Sequence, residues 1–333
     1  MLNFTEPISL IKVSKNILIL THKNPDGDAV GSVLGLGMAL ESLDKNCGII
    51  LKDKIPKVLE FLPGQKKIRY IEDLAESDLG NYNYDLVILV DCAEIKRTGI
   101  EGVNKIIESS KNLLVIDHHP EREMENENFN VTKIINPKFS SAAEILFELF
   151  TEMGIKINKD IAQCLLTGIF TDTGGFQHAN VSPRTLETAA ELMKKGPRIN
   201  KIARYIFNSK SIPAIKIWGR ALARIETDSE NGMSASYIDK ADLEECGASY
   251  DDLSGITNII NTISDSKFSL LLTEYEDQKI RGSLRSEEYK GFDVSKIAQD
   301  LGGGGHRLAS GFELKGTIKE SLEVIYKKLK GQG

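Results

Sequence analysis

Cysteine is scarce in this chain: four residues among 333, with no CxxC pair. This scarcity argues against a disulfide framework or a thiolate zinc site, and it favours a reducing compartment. No stretch reaches the roughly 18 consecutive apolar residues of a membrane span. The N-terminus lacks the basic-then-apolar layout of a secretory signal. We therefore expect a cytoplasmic protein that does not bind or cross a membrane.

An excess of basic charge is also missing. The chain has 42 Lys and Arg against 48 Asp and Glu, which gives a formal net charge of -6. A protein that grips long duplex DNA needs a broad basic surface, so long duplex DNA is excluded as the expected partner. A local basic pocket for a short anionic ligand stays open.

Short apolar runs alternate with helical patterns in the first half of the chain. The runs predict strands at 16–21, 47–52, 85–90 and 113–116. The helical patterns lie at 29–43, 141–153, 160–171 and 183–195. Continuously apolar strands separated by helices are typical of a parallel sheet that is covered on both faces. The predicted fold class is therefore α/β.

The pattern changes near residue 197, and the length also suggests two domains at roughly 150 residues each. A locally basic helical connector is predicted at 198–224, with Tyr205 and Trp218 interpreted as packing residues. Further strands are predicted at 232–238, 267–276, 279–286 and 311–315, with helices at 293–301 and at the C-terminus. We expect a first domain at 1–197 and a smaller α/β domain at 225–333.

Acidic residues and histidines follow three of the predicted strands and one helix. In chain order they are His22, Asp26 and Asp28, then Asp91, then Asp117, His118 and His119, and finally Asp172. Because ligands of open parallel sheets bind at the carboxyl ends of the strands, we expect these side chains to meet at one edge of the sheet.

Converging acids need positive charge nearby. Two carboxylates about 4 Å apart repel each other by roughly 4 kcal/mol at an effective dielectric constant near 20. The motifs hold few basic residues, and oxygen-rich sites with some imidazole suit Mn²⁺ or Mg²⁺ better than zinc or copper. Taken alone, each Asp is more typical of a turn or a helix cap, Asp28 as the cap of the helix at 29–43. Six residues together fit two metals that share a bridging carboxylate: His22, Asp26, Asp28, Asp91, His118 and Asp172.

These motifs resemble a known family. HKNPDGDAVGS (22–32), VDCA (90–93), DHHP (117–120) and TDTGGF (171–176) are similar to the motifs of the DHH phosphoesterase superfamily. GGGGHRLASGF (302–312) resembles the glycine-rich motif of the DHH-associated C-terminal domain. With the compact two-domain length, the resemblance is to the NrnA type of oligoribonuclease and pAp phosphatase. It implies a DHH catalytic domain followed by a substrate-binding domain, with the active site in the interdomain cleft.

The resemblance also implies roles for the polar residues. His22, Asp26 and Asp91 would bind one Mn²⁺, and Asp28, Asp91, His118 and Asp172 a second, with Mg²⁺ as the alternative metal. Asp91, His118 and His119 would be catalytic, His119 by orienting the site or contacting phosphate, and Asp117 would support these histidines. A hydroxide held between the two metals would attack phosphorus in line.

The glycine run predicts contact with an anion, since glycine lacks Cβ and lets backbone N–H groups approach closely. Gly303, Gly304, Gly305 and His306 are therefore predicted to bind the phosphate or nucleotide of the substrate, together with Arg285. Arg281 is the alternative to Arg285. The roles of Arg307 and His178 are left open.

The predicted function is Mn²⁺-dependent hydrolysis of short oligoribonucleotides to mononucleotides and of pAp to AMP. The alternative is a phosphodiesterase for c-di-AMP or pApA, and a non-catalytic nucleotide-binding protein and an inorganic pyrophosphatase are weaker alternatives. Expected partners are short RNA, dinucleotides and pAp. The sequence leaves the choice between monomer and homodimer open.

Overall fold

The computed structural model describes residues 2–74, 83–120, 129–207 and 210–330. The chain divides into two compact units, Met1–Ser209 and Lys210–Gly333, and this boundary falls inside the predicted connector. Within the described ranges, each helix is too short or too polar to cross a lipid bilayer.

The first unit is built on a six-stranded sheet in which every neighbouring pair is parallel. The strand order is β3-β2-β1-β4-β5-β6. The strands are β1 (Asn16–Leu20), β2 (Asn46–Leu51), β3 (Ile68–Tyr70), β4 (Leu86–Val90), β5 (Asn112–Asp117) and β6 (Asn130–Ile135). Ile17 and Ile19 pack into the core on one face, and Leu18 and Leu20 into the core on the other. The apolar runs thus reflect burial on both faces, which confirms the predicted parallel sheet.

Helices cover both faces of this sheet. They are α1 (Thr5–Val13), α2 (Gly27–Glu41), α3 (Val103–Ser110), α4 (Ala142–Glu152), α5 (Lys159–Asp172), α6 (Pro183–Lys194) and α7 (Ile199–Phe207). Val103 and Ile107 of α3 pack in the same core as Leu18, whereas the other helices contribute to the core that contains Ile17.

Helices α2 and α5 approach each other closely because glycine lines their contact. A Cβ on Gly31 would lie 2.4 Å from the carbonyl oxygen of Cys164, and one on Gly27 would lie 2.3 Å from Oγ1 of Thr171. Only glycine permits such backbone approach. The contact sets the start of α2 beside the end of α5, where Asp172 is the last residue.

The second unit contains a mixed six-stranded sheet of order β11-β12-β10-β9-β8-β7. Its strands are β7 (Glu226–Asp228), β8 (Met233–Ile238), β9 (Phe268–Glu276), β10 (Lys279–Arg285), β11 (Gly304–His306) and β12 (Ala309–Lys315). Only β8 and β9 pair in parallel. The helices are α8 (Ile212–Ala223), α9 (Lys240–Cys246), α10 (Ile256–Ile260), α11 (Val294–Asp300) and α12 (Ile318–Lys330). Leu270 packs with α11 and α12, and Leu271 with α8 and α10, so both sheet faces are covered.

The predicted connector consists of two helices that belong to different cores. Ile202 of α7 is buried in the core of the first unit, whereas Ile217 and Ala221 of α8 are buried in the second. Residues 208 and 209 of the connector lie outside the described residues. The connector therefore does not form a separate body.

Four strands carry no clear signal in the sequence: β3, β6, β7 and β11. Each of them is an edge strand of its sheet. An edge strand has one neighbour, so it needs fewer apolar residues, and its sequence pattern is weak.

Candidate metal centre

The predicted site residues follow strands that are neighbours in the first sheet. β1 lies between β2 and β4, so the strand order reverses there, and β4 lies beside β5. In doubly wound sheets this reversal opens a crevice at the carboxyl ends of the strands. His22 follows β1, Asp91 follows β4, and the Asp117-His118-His119 segment begins at the end of β5.

Asp91 is the centre of the cluster. Its side chain is 2% exposed, and its Oδ2 lies 3.5 Å from Nε2 of His22. Its Oδ1 lies 3.6 Å from Nε2 of His118 and 3.5 Å from Nδ1 of His119. The backbone of Asp91 has a φ of 54° and donates its N–H to the carbonyl of Ile116. A left-handed residue directly after a strand turns the chain sharply and aims the carboxylate across the strand ends.

The start of α2 brings a second acid to this cluster. Asp26 is the N-cap of α2, because its Oδ1 accepts hydrogen bonds from the N–H groups of Asp28 and Ala29. Carboxylate and imidazole atoms of His22, Asp26 and Asp91 lie within 4.8 Å of one another. The helix therefore begins two residues earlier than expected, and Asp26 rather than Asp28 is its cap.

Asp28 is placed differently from the other predicted ligands. Its carboxylate is buried and accepts hydrogen bonds from the N–H groups of Ala142 and Ala143, at 2.6 and 3.0 Å, and from the hydroxyl of Ser32 at 3.1 Å. It is not part of either compact group of metal-ligand atoms found among the described residues. Asp28 thus holds the start of α4, and metal binding by Asp28 stays a prediction.

Hydrogen bonds fix which nitrogen two of the histidines present. Nδ1 of His22 lies 2.8 Å from the carbonyl oxygen of Lys23, so this nitrogen carries the proton and Nε2 points a lone pair toward Asp91. His118 makes a hydrogen bond to the backbone of Phe139 and turns its Nε2 to Asp91. Burial, followed by the neighbouring His119, lowers the pKa of His118 to about 4. His118 is therefore neutral at pH 7, as a metal ligand must be.

Asp117 is hydrogen-bonded to His119. Oδ1 of Asp117 lies 2.8 Å from Nδ1 of His119 and also accepts the backbone N–H of His119 at 2.9 Å. The side chain of Asp117 is fully buried. Burial acts to raise the pKa of Asp117, but the hydrogen bonds and the charge of His119 outweigh it, so the pKa is lowered. An ionised Asp117 orients the His119 ring.

Asp172 joins the cluster from the end of α5. Its Oδ2 lies 3.5 Å from Nε2 of His118 and accepts a hydrogen bond from Asn180. The ring of His178 donates from Nδ1 to the backbone carbonyl of Asp172 at 3.1 Å. His178 therefore contacts the backbone of the residue that carries the carboxylate, and it is not part of either compact group of metal-ligand atoms among the described residues.

Glu144 is a residue of this site that sequence reasoning missed. Its fully buried carboxylate accepts the N–H and the hydroxyl of Ser140, both at 2.7 Å, and an N–H of Arg184 at 2.9 Å. It thereby holds the segment that supplies the Phe139 backbone to His118 and leads into α4. The sequence signal was present, since Ser141 and Glu144 have the S-x-x-E spacing of a helix start.

The charges of the acidic residues in this cluster are unfavourable unless a cation is nearby. Burial first, then the charge of neighbouring acids, raises the pKa of Asp28 to about 7 and holds those of Asp91 and Asp172 well above the ordinary value. Oδ1 of Asp91, Oδ2 of Asp117 and Nε2 of His118 are buried without a hydrogen-bond partner within the described part of the chain. Buried polar atoms without partners are costly, and a divalent cation would satisfy them. The residues present therefore fit a metal centre.

The predicted substrate residues lie in the second unit, and two of them, Arg285 and His306, are aligned across its sheet. Arg285 on β10 and His306 on β11 both pair with Ala309 of β12. Directly opposed residues point to the same face, so the two side chains flank a small alanine with their backbones about 10 Å apart. Burial lowers the pKa of Arg285, which has no carboxylate within 4 Å in the described part of the unit. This arrangement favours Arg285 over Arg281, which is exposed and lies over the ring of Tyr250.

The glycine run has a steric role in the β11–β12 hairpin. A Cβ on Gly303 would lie 2.2 Å from the carbonyl oxygen of Gly311, and one on Gly305 would lie 2.6 Å from that of Ala309. Gly304 faces open space. Arg307 lies 3.9 Å from Glu288 in an exposed ion pair. Anion binding by the glycines stays a prediction, with Gly304 as the accessible position.

Comparison with known proteins connects both units to one family. The model of the "DHH family, N-terminal domain" matches residues 16–169, and that of the "DHHA1 domain" matches 233–332. The chain is 31% identical over 326 residues to a bifunctional oligoribonuclease and PAP phosphatase NrnA of Thermus thermophilus. This match covers 95% of this chain and 91% of that protein. This chain belongs to the NrnA-type DHH family.

Solved structures agree with this membership. An exopolyphosphatase-related protein from Bacteroides fragilis superimposes with a TM-score of 0.90 at 29% identity, over 98% of this chain and 95% of that one. The exonuclease RecJ bound to manganese shares the fold, with a TM-score of 0.53 at 13% identity over 100% and 94% of the two chains. The predicted DHH and DHH-associated domains and the α/β fold are thereby confirmed.

Proposed function

We propose that this chain hydrolyses phosphoester bonds in short oligoribonucleotides, releasing mononucleotides, and converts pAp to AMP. The observation that carries the proposal is the buried group around Asp91, in which Oδ1 lies 3.6 Å from His118 and 3.5 Å from His119. The substrates are those in the name of the Thermus relative at 31% identity. The four unpaired cysteines support a cytoplasmic location.

The proposed cofactors are two Mn²⁺ ions, with Mg²⁺ as the alternative. His22, Asp26 and Asp91 would hold one ion, and Asp28, Asp91, His118 and Asp172 the other. The manganese bound by RecJ supports this choice. Asp28 already accepts three hydrogen bonds. A carboxylate offers about four lone-pair positions, so one remains for a cation.

The residues divide the work of hydrolysis. When bound, the divalent cations would supply a nucleophile at neutral pH and offset the charge that develops on phosphate. Asp91 would hold both ions, and His22 and His118 present Nε2 because their other nitrogens bond to backbone. Asp117 fixes the ring of His119, which can then donate from Nε2 to a phosphate oxygen when it is protonated. Asp91, His118 and His119 are the proposed catalytic residues.

The second unit would recognise the remainder of the substrate. Arg285 and His306 flank Ala309 on one face of the sheet. The half-buried guanidinium of Arg285 lacks a carboxylate partner in the described residues, and it donates to the carbonyl of Leu284 at 2.9 Å. Its remaining donors suit a phosphate group. Gly303, Gly304 and Gly305 would add backbone N–H groups.

A substrate panel tests the proposal. Initial rates with Mn²⁺ would be measured on RNAs of increasing length from the dinucleotide, and on pAp, pApA, c-di-AMP and pyrophosphate. We expect the highest kcat/KM on RNAs of two to about five nucleotides and clear activity on pAp, because an anchoring group beside the scissile phosphate favours short substrates. A clear preference for c-di-AMP or pyrophosphate would overturn the assignment. The absence of hydrolysis on every substrate would identify a nucleotide-binding protein.

A further inference from the structure

A cationic segment of the first unit is not used by the proposed active site. Residues 194–204 (KKGPRINKIAR) contain five Lys and Arg and no Asp or Glu, in a chain whose net charge is -6. The segment runs from the end of α6 into α7. Such local excess of positive charge attracts anions.

This segment forms one wall of a cavity of about 430 Å³. The volume lies in the range that holds small ligands, roughly 300–1,000 Å³. Its polar lining comes from Lys159, Gln163, Arg198 and Lys201. Its aromatic lining comes from Phe61 and Tyr205. The cavity thus combines cations with flat apolar surface.

The cations of the cavity lack carboxylate partners in the described part of the chain. Within the described part of the first unit, no carboxylate lies within 4 Å of Lys159, Arg198 or Lys201, whereas Arg184 of the same unit is paired with Glu144 at 2.9 Å. Lys201 and Tyr205 are four residues apart and lie on one face of α7, and Arg198 directly precedes the first residue of that helix. Three unpaired cations around one cavity suit a phosphate group better than a neutral ligand.

The aromatic residues add a stacking surface. The rings of Phe61 and Tyr205 are stacked with centroids 4.2 Å apart and an angle of 7° between their planes. Tyr205 packs on Phe61, as expected from the sequence, but it is still 46% exposed. A ring held rigidly from one side is a good platform for a nucleobase on the other.

The cavity is distinct from the metal centre. Lys159 is the first residue of α5 and Asp172 is the last. At 1.5 Å per residue the two ends of this helix are about 20 Å apart. A ligand of mononucleotide size in the cavity would therefore not reach the metal ligands.

We propose that this cavity is a second binding site for a nucleoside phosphate. Lys159, Arg198 and Lys201 would contact the phosphate oxygens, and the exposed face of Tyr205 would stack on the base. The nucleoside phosphate is either a free nucleotide or the distal part of an RNA strand whose end lies at the metal centre.

Calorimetric titration with ADP in the presence of EDTA tests this site directly, since without cations the acidic cluster repels phosphate. The full-length protein is compared with Arg198→Ala/Lys201→Ala. The matched control is Lys195→Ala/Arg204→Ala, which removes one Lys and one Arg from the same segment outside the cavity. We expect the cavity variant to lose at least about tenfold in ADP affinity, since each charged hydrogen bond contributes roughly 10- to 150-fold. The control should change less than about twofold.

A second comparison tests the base platform. Tyr205→Ala should weaken ADP binding about fivefold or more and leave pyrophosphate binding unchanged, because pyrophosphate has no base to stack. Tyr205→Phe should retain ADP affinity. Equal losses for ADP and pyrophosphate in Tyr205→Ala would exclude stacking.

Kinetics then separate the two sources of ligand. A raised KM for a pentaribonucleotide with an unchanged KM for a dinucleotide would assign the cavity to the distal part of the strand. Unchanged KM for both, with ADP affinity lost, would assign it to a free nucleotide. The proposal is wrong if the wild-type protein does not bind ADP, or if the cavity variant and the control lose the same affinity. Because ADP binding is measured without metal, the binding results do not depend on the proposed hydrolysis, whereas the KM comparison rests on it.

Discussion

Replacement of Asp91 by Asn tests the metal centre most sharply, because it removes one charge and keeps the shape. Asn also tolerates the left-handed backbone of this position, where φ is 54°. The variant should lose activity by several orders of magnitude, since the carboxylate that is proposed to hold both ions is removed. The effect of the substitution on the free energy of unfolding is more informative, because we expect the substitution to stabilise the metal-free protein.

The size of this effect follows from the neighbouring charges. Carboxylate oxygens of Asp26 and Asp117 each lie within 4.8 Å of a carboxylate oxygen of Asp91. At an effective dielectric constant near 20, each ionised pair at that distance costs about 3.5 kcal/mol. Burial first, and then the charge of neighbouring acids, raises the pKa of Asp91 well above its ordinary value, so the charged carboxylate is disfavoured in the folded metal-free protein. We therefore expect Asp91→Asn to raise the free energy of unfolding by about 1–3 kcal/mol at pH 9 in EDTA.

The same argument fixes the sign of the pH dependence. A carboxyl group with a raised pKa binds more protons in the folded than in the unfolded state, so stability falls as the pH rises from the unfolded pKa through the folded one. For Asp28 this window runs from 3.8 to about 7. Metal-free wild-type protein should therefore be less stable at pH 9 than at pH 6. Asp91→Asn should show a smaller difference in stability between the two pH values, because one of the neighbouring acids is gone.

Urea unfolding followed by circular dichroism in EDTA, at pH 6 and pH 9, measures these effects, with the transitions of the two units fitted separately. Asp44→Asn is the matched control, since Asp44 is an exposed Asp with a φ of 58°. Mn²⁺ should stabilise the wild type and the Asp44 variant but not Asp91→Asn. The reasoning is refuted if Asp91→Asn is less stable than the wild type at pH 9, or if its pH dependence is unchanged.

Three further outcomes are expected. Activity should vanish in a chelator and return more fully with Mn²⁺ than with Ca²⁺, because the looser coordination of Ca²⁺ suits a histidine-containing site poorly. Full activity in protein that is shown to be metal-free would contradict this expectation. Arg285→Ala should keep its metal content but lose about 10- to 150-fold in kcat/KM on dinucleotides and pAp. The loss should be much smaller on bis-p-nitrophenyl phosphate, which has no second anchoring group. Equal losses on both substrate types would show that Arg285 acts in the chemical step or in domain structure. Glu144→Gln should lower the free energy of unfolding by about 3 kcal/mol and reduce kcat, because the segment that contacts His118 loses its buried carboxylate partner. Glu152→Gln, on the exposed side of the same helix, should change neither quantity.

The local features of this protein were readable from its sequence. The apolar runs predicted the central strands β1, β2, β4 and β5 because each is buried on both faces. The acids and histidines stood out because they directly follow these strands, and at that position a charged side chain rarely serves the core. The resemblance to the DHH superfamily then supplied roles that residue types alone left open.

Tertiary structure decided what depends on contacts between distant segments. Asp28 accepts the N–H of Ala142, 114 positions along the chain, and Glu144 accepts an N–H of Arg184, which is 40 positions along the chain. The edge strands were not predicted because they are less buried than the central strands, so their apolar sequence pattern is weak. The cavity joins Phe61, Lys159 and Arg198, which are far apart in sequence. The periodicity of a segment indicates which of its faces is buried. The contacts between distant segments are fixed only when the whole unit packs, so no single stretch of the chain predicts them.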